Sequence, residues 1–337
     1  MKLRGLVFGW YHRKNAGDDR IAHCIERWLG DHDLTFVPHT EPPPLDLLHQ
    51  CDYALIGGGS VANEVNGVFV NMARWTRAAQ LPVFCVGVDI SFHEAFKTEL
   101  LAIPESGGMV WARSAPSAEW LGWEHDLAVG PDLTWLCPLR FDFARPDAGG
   151  PVAVNFRPWE RVRWSPREWR EALREFGGRA FPWPLCFGKD SDEAVLREIV
   201  GANSFPTEFD PTAASRSSLV VAARFHALVF AIQAGTPFVA VGNTKKVRFM
   251  LEQVGLERAV APIEEPRLFR QTLERVRREV TAERLQEVTR AQHEWAWKVA
   301  DRFRERIESE AAKARRRRRS LGSRVVRRVR SKITPSL

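Results

Sequence analysis

The chain alternates short hydrophobic runs with longer segments in which hydrophobic residues recur every three to four positions. The short runs predict buried strands, and the longer segments predict amphipathic helices. Alternation at this spacing is typical of parallel sheets covered by helices on both faces, which bind ligands at the carboxyl ends of their strands. In the first half we predict strands at Gly5–Phe8, Tyr53–Ile56, Pro82–Val88 and Met109–Ala112, and helices at Asp18–Leu29, about Ala62–Ala79 and near His93–Leu101.

The pattern breaks at Phe141–Gly150, a segment with proline, two glycines and two aspartates that predicts an interdomain linker. We therefore predict an N-terminal α/β domain over 1–140, a C-terminal α/β domain over 151–310, and a basic, flexible tail over 311–337. The two domains would face each other across a cleft. The second domain restarts the alternation, with strands at Val152–Asn155, Phe181–Phe187, Leu219–Ala222 and Pro237–Val241, and helices at Pro166–Phe176, Ser191–Val200, Phe225–Ala234, Glu265–Arg278 and Thr281–Ile307.

The 337 residues suit two domains, and 45% hydrophobic with 27% charged residues is ordinary globular composition. The formal net charge is +7, but residues 313–332 hold 11 basic residues and no acid, so subtracting 11 from +7 leaves −4 for the remainder. A nucleic-acid-binding fold would carry its basic stripe on the folded body. We therefore expect no specific nucleic-acid partner.

The basic tail suggests a partner of its own. The five arginines of 315–319 repel one another and favour a solvated segment. On a helix, Val325, Val326 and Val329 would share one face among arginines, and anionic lipid contributes about 1 kcal/mol per nearby basic residue. We predict peripheral contact with the inner face of the membrane through 313–332. A disordered solubilising tail and RNA contact are the alternatives.

The cysteines and the apolar segments indicate a cytoplasmic protein. The five cysteines are scattered and form no CxxC pair or Cys/His cluster with metal spacing, which favours reduced thiols and no metal. The apolar run near the N-terminus is too short for a signal peptide. The longest apolar region, Leu219–Val241, is interrupted by Arg224, His226 and Gln233, so we do not expect it to span a membrane.

Arg224-Phe225-His226 is the sharpest chemical feature. It lies between a predicted buried strand, Leu219–Ala223, and a predicted buried helix, Ala227–Ile232. A buried charge is costly unless it is paired. Arg224 would bind a carboxylate or phosphate, and His226 would exchange a proton near neutral pH. The alternative is a capped histidine with an arginine that reaches solvent.

Two glycine-containing segments follow predicted strands. Gly57-Gly58-Gly59-Ser60 would let the backbone approach an anion at a helix start, or would form only a tight turn. It lacks the GxGxxG and P-loop patterns. Asn15-Ala16-Gly17-Asp18 would line the cleft with Asn15 and Asp18, or would be a loop with an Asp cap.

Three further segments follow predicted strands. Arg113 is a candidate only because it follows a predicted strand. Lys245 would add positive charge at the cleft mouth, or would belong to the start of a solvated helix. Gly130-Pro131-Asp132 has the composition of a turn.

Together these segments resemble the polysaccharide pyruvyl transferase family over most of Leu3–Leu256. Two positions depart from the family pattern: Ser114 stands where the family usually has Asp, and Phe225 where it usually has Leu. The matching pieces are Asn15–Asp18, Gly57–Ser60, Ala112-Arg113 with Ser117 and Leu121, Gly130–Asp132, Ser215, Ala223–Ala227, Ala234–Phe238 and Lys245–Val247.

The resemblance implies two Rossmann-like domains of the GT-B type and transfer of a pyruvyl group from phosphoenolpyruvate to two saccharide hydroxyls, without a cofactor. It implies that His226 and Arg224 are catalytic. The acceptor would belong to exopolysaccharide or cell-surface glycan biosynthesis and would be lipid-linked if the tail meets the membrane. Donor binding would involve Arg113, Gly58, Gly59, Ser60, Asn15, Asp18 and Lys245.

Two other functions are compatible with these residues. A GT-B nucleotide-sugar glycosyltransferase would use the same cleft. A non-catalytic binding protein of the glycan machinery would keep the fold alone, and Ser114 is the feature that favours it.

Overall fold

The computed structural model describes residues 2–38, 42–62, 68–90, 94–122, 127–139, 149–158, 163–187, 191–201, 204–242 and 244–333. For residues 60–62, 68–70, 90, 94–96, 127 and 319–333 the description covers the backbone alone. The chain divides into two compact units, the first formed by Met1–Trp10, Ile25–Gly130 and Lys298–Leu337, the second by Tyr11–Cys24 and Pro131–Trp297.

The first unit contains a six-stranded parallel sheet in the order β2-β1-β3-β4-β5-β6. Its strands are β1 (Arg4–Gly9), β2 (Asp33–Pro38), β3 (Tyr53–Ala62), β4 (Val83–Ile90), β5 (Met109–Ala112) and β6 (Leu127–Val129). The helices of this half of the chain are α1 (Ala16–Trp28), α2 (Leu45–Gln50), α3 (Val68–Ala78), α4 (Glu94–Glu105) and α5 (Ala115–Leu121).

The second unit contains a five-stranded parallel sheet in the order β11-β10-β9-β7-β8. Its strands are β7 (Val152–Asn155), β8 (Ala180–Pro182), β9 (Leu219–Ala222), β10 (Phe238–Val241) and β11 (Val260–Ala261). The helices of this half are α6 (Pro166–Ala172), α7 (Glu193–Val200), α8 (Phe225–Gln233), α9 (Lys245–Gln253), α10 (Phe269–Glu279) and α11 (Ala282–Ile333). The predicted α/β class with two parallel sheets is confirmed.

Strands β5, β9 and β10 are hydrophobic along their whole length because both faces of a parallel sheet are covered. Every residue of β5, β7, β9 and β10 is buried. Tryptophans fill much of the space beside the sheets: Trp28 packs edge-on against Trp111, with ring centroids 6.5 Å apart, and Trp169 packs against Phe156 at 5.1 Å. These tryptophans belong to the core.

The third strand and the helix after it differ from their predicted bounds. The sequence predicts a strand that ends at Ile56 and a helix from about Ala62, whereas β3 continues through the glycines to Ala62 and α3 begins at Val68. Pairing with β4 holds the glycines in the strand, and a Cβ at Gly57 would lie 2.2 Å from the carbonyl oxygen of Val86.

The C-terminal region is helical to Ile333, whereas the sequence predicts that the closing helix ends at Ile307 and that a flexible tail follows. Two tail arginines are held by the first unit, because Arg315 and Arg318 both donate to the buried carboxylate of Asp52, at 2.6 and 2.9 Å. That carboxylate offsets part of the repulsion within the arginine block. Among the described helices, none has both the length and the hydropathy needed to cross a bilayer.

The predicted linker lies largely on residues 140–148, outside the described part of the chain. The domain boundaries therefore stay a prediction.

Candidate functional site

Arg224 lies between β9 and α8, where it forms a buried ion pair with Asp192. Its Nε donates to both carboxylate oxygens at 2.8 Å, and its Nη2 donates to Oδ1 at 2.5 Å. Burial by itself lowers the pKa of Arg224, but the Asp192 carboxylate more than offsets this and the pKa is raised. Arg224 is therefore a permanent, fixed positive charge at the carboxyl edge of the second sheet.

Asn155 and Asp192 connect Arg224 to the neighbouring chain segments. Asn155, at the end of β7, accepts a hydrogen bond from the Arg224 backbone N–H at 3.0 Å. The Asp192 carboxylate also accepts from the backbone N–H groups of Leu185 and Cys186, at 3.0 and 3.3 Å. In the sequence Asp192 stands only at the start of the predicted helix Ser191–Val200, and nothing in the pattern indicated Asn155. Their role depends on contacts across strands, which only the fold reveals.

His226 is the second residue of α8 and faces Asp132. Its Nε2 lies 3.6 Å from Asp132 Oδ1, and the two side chains are 12% and 1% exposed. Asp132 is fixed in turn, because its Oδ1 accepts from the Thr134 backbone N–H at 3.0 Å and from Thr134 Oγ1 at 2.7 Å. Among the described residues, Nε2 has no partner at hydrogen-bond distance. A small displacement would bring the two atoms to hydrogen-bond distance.

The other side of the His226 ring lies against Gly17. A Cβ at that position would be 1.9 Å from Nδ1, so only glycine leaves room for the imidazole. The start of α1, which contains Gly17, is held in the second unit, since the Ala16 N–H donates to the carbonyl of Leu185 at 2.8 Å and Asn15 bridges to Cys186. The structure thus brings the Asn15–Asp18 segment together with Arg224-Phe225-His226.

A polar group beside the His226–Asp132 pair is formed by Asn15, Asp18 and Tyr11. Asn15 Nδ2 donates to Asp18 Oδ2 at 2.6 Å. Burial raises the pKa of Tyr11 well above its usual value, and the nearby carboxylates of Asp18 and Asp132 raise it further. Tyr11 therefore keeps its proton at neutral pH. No sequence signal indicated Tyr11.

Lys245 is the first residue of α9, the helix that follows β10. Strand β10 pairs with β9. Because both strands are parallel, Lys245 lies at the same sheet edge as Arg224 and His226, and its side chain is exposed. The preceding Thr244 has a buried hydroxyl with no hydrogen-bond partner in the described structure. This edge therefore combines an exposed positive charge with a buried hydroxyl.

The remaining predicted residues lie in the first unit. Gly58 and Gly59 have φ of 73° and 84°, conformations that favour glycine, and they precede Ser60 within β3. The expected helix start directly after them is wrong, since β3 continues to Ala62; residues 63–67 lie outside the described part of the chain, and α3 is described from Val68. Arg113 follows β5 and places Nη2 3.2 Å from Asp89 Oδ2.

Ser114 provides the N-cap of α5. Its hydroxyl accepts from the Ser117 backbone N–H at 3.4 Å and donates to Ser117 Oγ at 2.9 Å. Serine and aspartate are both preferred N-caps, so the substitution preserves this local function. The feature that favoured a non-catalytic protein is thus explained by helix capping.

Comparisons with known proteins agree with this arrangement. The family model described as "Polysaccharide pyruvyl transferase" matches residues 15–245, a range that contains site residues described above from each of the two units. No curated protein matches the chain.

Solved structures resemble the fold at low sequence identity. UDP-GlcNAc 2-epimerase from Neisseria meningitidis, bound to UDP-GlcNAc, has a TM-score of 0.57 at 8% identity, covering 90% of this chain and 100% of its own. The S. aureus protein MnaA with UDP has a TM-score of 0.55 at 10% identity, with coverage of 85% and 91%. The glycotransferase of kitacinnamycin has 0.53 at 12%, with coverage of 90% and 99%.

These similarities show the fold, which is that of GT-B glycosyltransferases and related epimerases. The family match covers well over half of the chain and includes Arg224, His226 and the loop that packs on them. The chain therefore belongs to the polysaccharide pyruvyl transferase family, and it is a glycan-modifying transferase.

Proposed function

We propose that this protein transfers a pyruvyl group from phosphoenolpyruvate to two hydroxyls of a saccharide, which forms a ketal on an exopolysaccharide or cell-surface glycan. The observation that carries the proposal is the His226–Asp132 pair beside the fixed charge of Arg224. A proton donor beside a positive charge suits an enol phosphate, whose methylene carbon must be protonated while its anionic groups are held.

In the first step His226 delivers a proton to the methylene carbon, which makes C2 electrophilic. A saccharide hydroxyl attacks C2 and returns its proton to the now neutral His226. The C2–O bond to phosphate then breaks, and the second hydroxyl closes the ketal and gives its proton to the departing phosphate. Asp132 orients the imidazole and stabilises its charged form. It is therefore a positioning residue for His226.

The donor carries a carboxylate and a phosphate. Arg224 supplies a positive charge that needs no reorganisation, because Asp192 already fixes it. Lys245 adds a second charge at the same edge, and the N-termini of α8 and α9 favour anions. Donor-binding roles for Arg113, Gly58, Gly59, Ser60, Asn15 and Asp18 follow from the family resemblance.

The test is phosphate release from phosphoenolpyruvate with and without oligosaccharides from the source organism's glycan. We expect release that requires the saccharide and is lost in His226→Ala. Activity on a nucleotide sugar without such release would support a glycosyltransferase instead. Unchanged glycan in cells that carry His226→Ala would support a non-catalytic protein.

We also propose that the protein works in the cytoplasm at the inner face of the membrane, on a lipid-linked acceptor. The support is the basic segment of α11 up to Ile333. A chain cut after Ser320 keeps Arg315 and Arg318 on Asp52 and removes the distal basic residues. We expect it to lose flotation with vesicles that contain phosphatidylserine, and undiminished flotation would contradict the proposal.

A further inference from the structure

Asp31, His32 and Glu308 form a cluster in the first unit. His32 Nε2 lies 3.9 Å from both Asp31 Oδ1 and Glu308 Oε1, and one ligand atom from each residue falls within 4.8 Å of the others. Ligands of a tetrahedral zinc ion, bound at about 2.0–2.2 Å, lie about 3.4 Å apart. The exposed carboxylates can close this difference by changing rotamer.

We propose that Asp31, His32 and Glu308 bind one divalent transition-metal ion, with Zn²⁺ as the best-suited ion. The ion would connect the turn before β2 to helix α11. Glu308 is far from the other two residues in sequence, so the sequence offered no metal-ligand spacing.

The orientation of His32 points to a ligand. Its side chain is only 3% exposed, and its Nδ1 lies 2.7 Å from the Tyr53 hydroxyl. When Nδ1 carries the proton, it donates a hydrogen bond to the Tyr53 hydroxyl oxygen. The lone pair of Nε2 then faces the two carboxylates. Metal-binding histidines are oriented in this way by a hydrogen bond from the other ring nitrogen. The two facing carboxylate oxygens, at 3.9 Å, both lie beyond hydrogen-bond distance of Nε2.

Arg304 lies beside the cluster and offers a simpler explanation for the two carboxylates. Its Nη2 donates to Asp31 Oδ2 at 2.6 Å, and its Nε donates to Glu308 Oε1 at 2.9 Å. The single positive charge of Arg304 leaves a net charge of −1 on the Asp31 and Glu308 carboxylates. A guanidinium has no acceptor and no lone pair to offer His32 Nε2. It also leaves Asp31 Oδ1, the oxygen that faces His32, for a cation, whereas Glu308 Oε1 would have to exchange its bond from Arg304 for the ion.

The ligand set selects the ion. One imidazole and two carboxylates fit a zinc site that keeps a water in its fourth position. Mg²⁺ and Ca²⁺ prefer sites made of oxygen alone. An ion bound only by the folded state would raise the unfolding temperature by mass action. The site would therefore stabilise the attachment of α11.

The test uses the full-length protein, stripped of metal and titrated with ZnCl₂ by calorimetry and by thermal unfolding. We expect one Zn²⁺ per chain and a higher unfolding temperature, with no comparable effect of MgCl₂. Glu308→Gln and His32→Ala should weaken binding about tenfold or more, while Glu305→Gln, one turn earlier on an exposed face, should bind normally.

Cobalt distinguishes this cluster from the cysteines. Co²⁺ in a site of nitrogen and oxygen ligands should give visible absorption without a thiolate-to-metal band, and Glu308→Gln, which retains the helix, should remove it. Absence of stoichiometric Zn²⁺ binding would overturn the proposal. So would binding that is unchanged in both Glu308→Gln and His32→Ala, or a spectrum dominated by thiolate.

Discussion

The imidazole of His226 packs directly on the α-carbon of Gly17, so closely that a Cβ there would lie 1.9 Å from Nδ1. The contact joins the first turn of α1 to the first turn of α8. It makes the glycine of the Asn-Ala-Gly-Asp segment a requirement for the position of His226. Gly17 therefore determines where the His226 imidazole can lie, because the absence of a side chain leaves the space that the ring occupies.

Gly17→Ala should displace the His226 ring and lower kcat for saccharide-dependent phosphate release by about 10²-fold or more, the contribution of a positioned acid–base group. The fold should survive, as judged by circular dichroism. Gly178→Ala is the matched control, because a Cβ at Gly178 meets no atom within 4 Å. Equal activity of the two variants would contradict the packing argument.

Asp132→Asn should lower kcat and alter the pH profile of kcat/KM. Asparagine retains an oxygen for the two bonds to Thr134, so the local turn should persist, but it cannot stabilise a charged His226. The comparison is with wild type across pH 5–9, by phosphate release. A profile identical to that of wild type would assign Asp132 a purely structural role.

Asp192→Asn should destabilise the protein by about 3–5 kcal/mol, because it leaves the buried Arg224 charge without its partner. It should also raise KM for phosphoenolpyruvate. Glu171→Gln, which breaks the exposed pair with Arg174, should cost less than about 1 kcal/mol. Urea unfolding measures both variants, and equal losses would show that Arg224 does not depend on this ion pair.

Tyr11→Phe should make folding stability less sensitive to alkaline pH. The pKa of Tyr11 is raised in the folded protein by burial and by the Asp18 and Asp132 carboxylates. The folded state therefore holds this proton more tightly than the unfolded chain, whose tyrosine titrates near about 10. The resulting stability is complete below that pH and is lost as pH rises above it.

Urea unfolding between pH 9 and 11 tests this, with wild type as the reference. Any dependence of the unfolding free energy on pH that remains in Tyr11→Phe belongs to other groups with raised pKa, among them Tyr53 and Cys51. A variant that loses stability with pH as steeply as wild type would show that Tyr11 carries no linked proton.

The sequence predicted the parts of the fold that depend on local pattern. Continuous hydrophobic runs such as Leu219–Ala222 and Met109–Ala112 became buried parallel strands, because their covered faces require apolar residues at every position. The polar residues stranded after β9 were also recognisable, since a charge between two apolar runs needs a partner. Arg224 indeed has one in Asp192.

The remaining features depend on contacts distant in sequence. Asp132 had the composition of a turn, and Gly17 that of a loop before a helix, and neither pattern indicates His226. The glycines of β3 favour a turn by propensity, but pairing with β4 keeps them in a strand. Ser114 differed from the family pattern, and its capping bond to Ser117 became visible only in the structure.

The most direct test of the proposed reaction is a phosphorus NMR time course of phosphoenolpyruvate with wild-type protein and oligosaccharide from its own glycan, followed by mass analysis of the saccharide. We predict conversion of phosphoenolpyruvate to inorganic phosphate only when saccharide is present, with a pyruvate ketal on the product and no conversion by His226→Ala. Phosphoenolpyruvate that persists unchanged with a competent acceptor, or equal conversion by His226→Ala, would contradict the account.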